Sequence, residues 1–137
     1  MGRAPNFPHE GLTWRIIGAA IEVHRELGAG LLESAYRSCL LREFALRSLS
    51  ARSEVAIPLL YKGCPVECGF RADIVVEDAV IVELKTVETL LPIHDAQLLT
   101  YLKLCNLEAG LLLNFNATSL RKGIRRLALS GRSSTGS

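Results

Sequence analysis

A chain of 137 residues with 49% hydrophobic and 22% charged side chains has the length of one domain and the composition of a folded globular protein, which excludes wholesale disorder. Its net charge of +2 is far below that of a dedicated DNA-binding module, so a case for an anionic partner must rest on where the bases lie. No stretch approaches the roughly 18 uninterrupted apolar residues of a membrane span, and residues 1–11 hold no apolar run of the kind a secretory signal needs.

A flexible leader is expected over 1–12. Thr13 is placed to cap a first helix whose apolar face takes in Ile16, Ile17, Ala20, Ile21, Val23, His24 and Leu27. Gly28-Ala29-Gly30 ends that helix. A second is predicted over 31–46, burying a face drawn from Leu32, Ala35, Tyr36, Cys39, Leu40 and Phe44. Residues 55–61 read as the first strand, with Pro58 marking an edge or a bulge. Lys62-Gly63 turns the chain, and 66–76 returns antiparallel with an interruption near Gly69. Glu77-Asp78-Ala79 turns it again into a strand over 80–86. A helix is predicted from 91 or 92 to 104, with Pro92 in its first turn. The stretch 109–114 is a strand apolar enough to be buried on both faces. The basic, amphipathic residues 120–129 fit strand or helix, and 130–137 read as a flexible tail. Helices packed on a mixed sheet follow from this order, an α/β (α+β-like) domain over 13–129. Cys39, Cys64, Cys68 and Cys105 match no zinc-finger or cluster spacing. They are expected to be reduced and mostly buried, as in a cytoplasmic protein.

The most informative stretch runs from Asp73 through an apolar strand and a turn to Glu83-Leu84-Lys85. Charge set into core-like sequence requires a compensating partner. With a three-residue turn, Val76 pairs with Val80 and Asp73 falls opposite Glu83, while Glu83 and Lys85 share a face of their strand. Opposed side chains have Cβ atoms about 5 Å apart, close enough for both carboxylates to hold one hard cation. Lys85 would then stabilise charge on a phosphate or assist a nucleophilic water. The spacing equally fits a hairpin whose acids are neutralised by Lys85 or Arg71 in a surface ion network.

Gln97 and Tyr101 are four apart on one helical stripe, with His94 a turn before. They can orient a phosphate or a catalytic side chain, or be a solvated amide and a core aromatic. Glu33 can add a third carboxylate or favour its helix N-terminus. His24 fits a packing role or a metal ligand. Arg121, Lys122, Arg125, Arg126 and Arg132 can track a phosphate backbone or form a solvated face. No Walker loop, zinc-finger spacing or dinucleotide fingerprint is present.

Gly30-Leu31-Leu32-Glu33-Ser34-Ala35-Tyr36 matches the signature of the GxxExxY family of small prokaryotic proteins. Further blocks also resemble that family: Gly69-Phe70-Arg71-Ala72-Asp73, Val82-Glu83-Leu84-Lys85, Leu91 through Tyr101, and Leu113-Asn114-Phe115-Asn116. The resemblance spans 16–127 and implies the PD-(D/E)XK nuclease-like superfamily. That superfamily has a restriction-endonuclease-like core, a mixed four-stranded sheet flanked by helices. Carried over, the superfamily acid is Asp73, and Glu83-Leu84-Lys85 is the E-x-K element. Gln97 and Tyr101 match the QxxxY helix of RecB-like members, Glu33 the added helical acid, and His24 a metal-binding histidine. Ala72 stands where the superfamily name implies proline, and the cysteines do not match the iron–sulphur arrangement of some RecB-like relatives.

The activity so implied is Mg²⁺-dependent (or Mn²⁺-dependent) phosphodiester hydrolysis on nucleic acid, DNA ahead of RNA. Asp73, Glu83, Lys85, Gln97 and Tyr101 would be catalytic, with Asp73, Glu83, Glu33 and His24 at the metal. Arg71, Arg121, Lys122, Arg125 and Arg126 would lie along the substrate. Two competing readings are a non-catalytic nucleic-acid-binding or accessory module that keeps the pocket, and a small self-associating protein, a homodimer.

Overall fold

The computed structural model describes residues 7–129, so Arg132, half of the expected leader and all of the expected tail lie outside the described residues. Two helices, α1 (Glu10–Leu27) and α2 (Glu33–Leu46), precede strands β1 (Ala51–Ala56), β2 (Leu60–Tyr61), β3 (Cys64–Pro65), β4 (Arg71–Val76) and β5 (Val80–Lys85). Helix α3 (Pro92–Cys105), strand β6 (Ala109–Asn114), a short 3-10 helix (Leu120–Gly123) and β7 (Ile124–Ala128) complete the order. The sheet runs β1-β4-β5-β6-β7, and β2 pairs with β3 in a separate hairpin. Only β5 and β6 are parallel; the other neighbours are antiparallel. The parallel pair brackets α3, as a β-helix-β crossover requires.

Side-chain alternation divides the core into two layers. Val80, Val82 and Leu84 of β5 face α1 and α2 with Leu111 and Leu113 of β6, while Ile81 and Leu112 face Leu98 and Leu102 of α3. All of β6 is buried, as expected of a central strand covered on both faces. Glu83 and Lys85 share the parity of Ile81 and therefore lie on the α3 side.

The sheet is five-stranded where four strands were expected. The fifth, β7, comes from the stretch that fitted strand or helix, and it closes the free edge of β6. The first strand also differs from the predicted 55–61. Pairing begins at Ala51 and stops before Pro58, because Arg52-Ser53-Glu54 lie on an exposed edge whose polar side chains mask the alternation. The predicted 66–76 strand starts regular pairing with β1 only at Arg71, after Gly69 at φ 73°.

Helix α1 begins at Glu10, so Thr13 is not its cap but a buried residue of its first turns. Helix α2 buries a narrow stripe, Tyr36, Leu40 and Phe44. Cys39 falls off that stripe and is exposed, Cys64 is exposed, and Cys68 and Cys105 are half-buried. All four are free thiols, as expected, but none is buried.

The α1–α2 connection is organised by Tyr36. Its hydroxyl donates to the Gly28 carbonyl at 2.5 Å and accepts the Leu31 N–H at 3.2 Å. Its ring stacks on Phe115, centroids 4.5 Å apart. Gly30 between them has φ 108°, which an L side chain rarely adopts. Tyr36→Phe keeps the stack and loses both hydroxyl bonds, so it should lower stability by roughly 1–2 kcal/mol. The urea midpoint should fall with an unchanged slope. An unmoved midpoint would show that the hydroxyl does not hold this loop.

Candidate metal centre

The β4–β5 register pairs Val76 with Val80 and Ile74 with Val82, which sets Asp73 opposite Glu83. There the regular ladder stops and side chains take over. The Asp73 N–H donates to Glu83 Oε2 at 3.0 Å, and the Leu84 N–H donates to Asp73 Oδ2 at 2.8 Å. Each carboxylate thus occupies a place that a strand carbonyl would otherwise fill. On the other side of Asp73 the β1 ladder also lapses: Ser53 pairs with Ile74 and Val55 with Ala72, but Glu54 between them is left-handed at φ 52°. Its carboxylate turns to Arg37, at 3.1 Å.

The Asp73 and Glu83 carboxyls are cross-tied through these two backbone N–H groups. Burial first, and the Asp73 charge second, push Glu83 up from 4.5 to about 8, against the opposing pull of the Asp73 N–H and of Lys85. Tyr101 is pushed up as well, by burial and then by Glu83 and Asp73, so α3 brings its phenol into the same field. Lys85, on the same face as Glu83, is half-buried. Among the described residues no ion pair involves Asp73, Glu83, Lys85 or Arg71. The acids are therefore not neutralised by the ion network that the hairpin's spacing equally allowed.

The remaining candidates are placed less tightly. Gln97 is exposed one turn before Tyr101. His94 Nδ1 accepts the Leu91 N–H at 2.9 Å, closing the start of α3. Glu33 opens α2 in the opposite layer. His24 Nε2 sits 2.9 Å from the Ala117 carbonyl and packs near Phe115. No group of three or more His, Cys, Asp or Glu side chains gathers as a metal site among the described residues, so the structure does not bring Glu33 and His24 to the Asp73–Glu83 pair. Arg71, Arg121 and Lys122 are exposed. Arg125 is paired with Asp95 at 2.5 Å and donates to the Leu90 carbonyl at 3.2 Å. Arg126 lies over the rings of Phe7 and Trp14, at 4.6 and 5.0 Å. Two members of the basic run thus pack the fold.

Asn114, given no role by the sequence reading, fixes the backbone beyond Lys85. Its side chain accepts the Val87 N–H at 3.1 Å and donates to the Val87 carbonyl at 2.8 Å. Beside it the Phe115 N–H donates to the Lys85 carbonyl at 2.9 Å. A polar residue ending the apolar run Gly110-Leu111-Leu112-Leu113 was the available signal, since a buried amide needs partners.

The profile of the PD-(D/E)XK nuclease superfamily matches residues 10–127. The chain belongs to this superfamily. Comparison with curated proteins and with solved structures finds no match. Superfamily members are generally nucleases and typically use divalent metals. The donor chemistry here fits such an ion: two hard carboxylates face each other across the hairpin, and burial, then their mutual repulsion, raise the cost of charging Glu83.

The raised Glu83 has a measurable consequence. The folded chain holds a proton there that the unfolded chain releases, so this site's contribution to stability is whole below pH about 4.5 and is lost as pH climbs through about 8. Glu83→Gln cannot ionise. In metal-free buffer its melting temperature should fall less than that of the wild type between pH about 5 and about 9. Parallel melting curves against pH would contradict the raised value.

Proposed function

We propose that this nuclease-superfamily chain hydrolyses phosphodiester bonds of nucleic acid, DNA ahead of RNA, at the Asp73–Glu83–Lys85 hairpin. The observation that carries the reading is the exchange of backbone N–H bonds by two carboxylates facing each other, with no cationic side chain among the described residues ion-paired to either. Asp73 and Glu83 would hold Mg²⁺ or Mn²⁺. A divalent ion bound there supplies a water of lowered pKa and polarises the scissile phosphate.

The protein's own part is positioning and charge. Lys85 places an ammonium on the Glu83 face of β5, where it stabilises negative charge gathering on the phosphate. Its backbone carbonyl is held by the Phe115 N–H, and the chain beyond it by Asn114. Tyr101 and Gln97 present a phenol and an amide from α3 to orient substrate, and Arg71, Arg121 and Lys122 stand free to meet the backbone. We further assign the chain to the GxxExxY group, with Gln97 and Tyr101 as a RecB-like QxxxY pair. This is supported by the Gly30, Glu33 and Tyr36 spacing and by the part Tyr36 plays in the α1–α2 connection. A cytoplasmic site of action goes with this reading. No helix among the described residues is long and apolar enough to cross a membrane.

Purified protein incubated with labelled DNA or RNA and Mg²⁺ or Mn²⁺ should cleave it, and EDTA should stop the reaction. Asp73→Ala and Lys85→Ala should each lower the rate by roughly 100-fold or more, while Cys39→Ser, at an exposed position on α2, should match the wild type. Binding without cleavage under every condition, unchanged in Asp73→Ala, would make the chain a non-catalytic binding module.

A further inference from the structure

Beyond the Ala56–Arg71 pair, two single backbone bonds link the end of the β1–β4 ladder to the separate β2–β3 hairpin, which extends outward from it as an arm. The Ile57 N–H donates to the Phe70 carbonyl at 3.0 Å and the Val66 N–H to the Leu59 carbonyl at 2.8 Å. Leu60 then pairs with Pro65 and Tyr61 with Cys64. Lys62 and Gly63 close the tip in left-handed backbone, at φ 51° and 82°. This arm begins two residues from Asp73, so whatever lies along it leads to the carboxylate pair.

Its surface is unusual for a solvated arm. Phe70 is 50% exposed and Tyr61 64%. The Phe70 ring lies 6.2 Å from that of Tyr101, which shares the field of Glu83 and Asp73. Arg71 is exposed next to Phe70, and Lys62 Nζ stands 5.4 Å from the Tyr61 ring centroid. The Tyr61 ring thus has a cation beside it, and the Phe70 ring has an exposed arginine next in sequence. That combination suits a polymer with open base faces, since aromatic rings stack on unpaired bases and the cations meet its phosphates. A duplex buries its base faces against one another and offers only edges and phosphates, which would leave both rings wet.

We propose that the β2–β3 ribbon is a stacking platform for single-stranded nucleic acid, with Phe70 against the base nearest the Asp73–Glu83 pair. The identity of the polymer rests on the nuclease reading above; the choice of single over double strand rests on the ribbon itself.

The test is fluorescence anisotropy of the full chain with a labelled single-stranded oligonucleotide and with a hairpin duplex of the same sequence. Both are measured in EDTA at one fixed salt concentration, so that turnover plays no part. The wild type should bind the single strand more tightly. Phe70→Ala should weaken that binding roughly tenfold, the size expected for one lost stack, and leave duplex binding unchanged. Phe70→Trp should restore it, and Tyr61→Ala should weaken it independently. Equal or tighter duplex binding overturns the proposal, as does single-strand affinity unchanged in folded Phe70→Ala and Tyr61→Ala. It is also overturned if Phe70→Ala splits a dimer in sedimentation without touching oligonucleotide affinity, because the rings then serve a second copy of the chain. A chain that binds single strands through Phe70 yet cleaves nothing keeps the platform and loses the nuclease reading. One that cleaves both forms equally, with Phe70→Ala indistinguishable, keeps the nuclease reading and loses the platform.

Discussion

Two like charges held against each other at the end of a β-hairpin are the constraint to which the rest of this molecule answers. Asp73 and Glu83 would repel and separate if their side chains were free. They stay because each accepts an N–H from the facing strand, so separating them would leave two backbone donors unpaired in a partly buried place. The energetic result is a site poised to accept positive charge. Burial first, and the Asp73 charge second, push Glu83 up to about 8 and so favour a proton there.

The surrounding layers keep that arrangement from relaxing. The register that opposes the two acids is set by Val76 and Val80 at the turn and by Ile74 and Val82 beyond it, all buried against α1 and α2. A slip of one residue would carry Ile74, Val76, Val80 and Val82 to the wrong face. On the other face α3 delivers Tyr101 next to the acids, and Arg125 ties the beginning of α3 to β7 through Asp95. The basic residue that looked available for phosphate is thus one of the fasteners that hold the helix over the site.

What the sequence made legible, and what it hid, divides along physical lines. The hairpin was readable because a turn of two or three residues between apolar strands leaves Asp73 and Glu83 near neighbours, and the three-residue turn that the structure adopts sets them opposite each other. The strand 109–114 was readable because six consecutive buried positions leave few alternatives. The edges were not. β1 carries Arg52-Ser53-Glu54 in an exposed strand, and β7 carries Arg125-Arg126, whose partners Asp95, Phe7 and Trp14 are distant in the chain. Local pattern does not register such long-range pairing. Cys39 was misjudged because the buried stripe of α2 is narrower than its apolar content suggests. Asn114 passed without a role because its partner, Val87, is visible only once β5 and β6 lie side by side. At the site, the residues on the hairpin were found by spacing, whereas the separation of Glu33 and His24 from them depends on which face of the sheet each helix covers.

Phe115 gives these layers a mechanical connection. Its ring rests on Tyr36, which holds the Gly28 to Leu31 loop, and its N–H holds the carbonyl of Lys85. The loop between the first two helices and the lysine at the end of β5 are therefore two ends of one short lever. Sequence distance misleads about connection here: the loop around Gly30 reaches Lys85 through three contacts, while the turn at Glu77, nearer in number, is bonded instead to Ser50 and Arg52 at the sheet edge. The loop and the backbone of Lys85 are thus held by one shared ring, so packing at Phe115 bears on both at once.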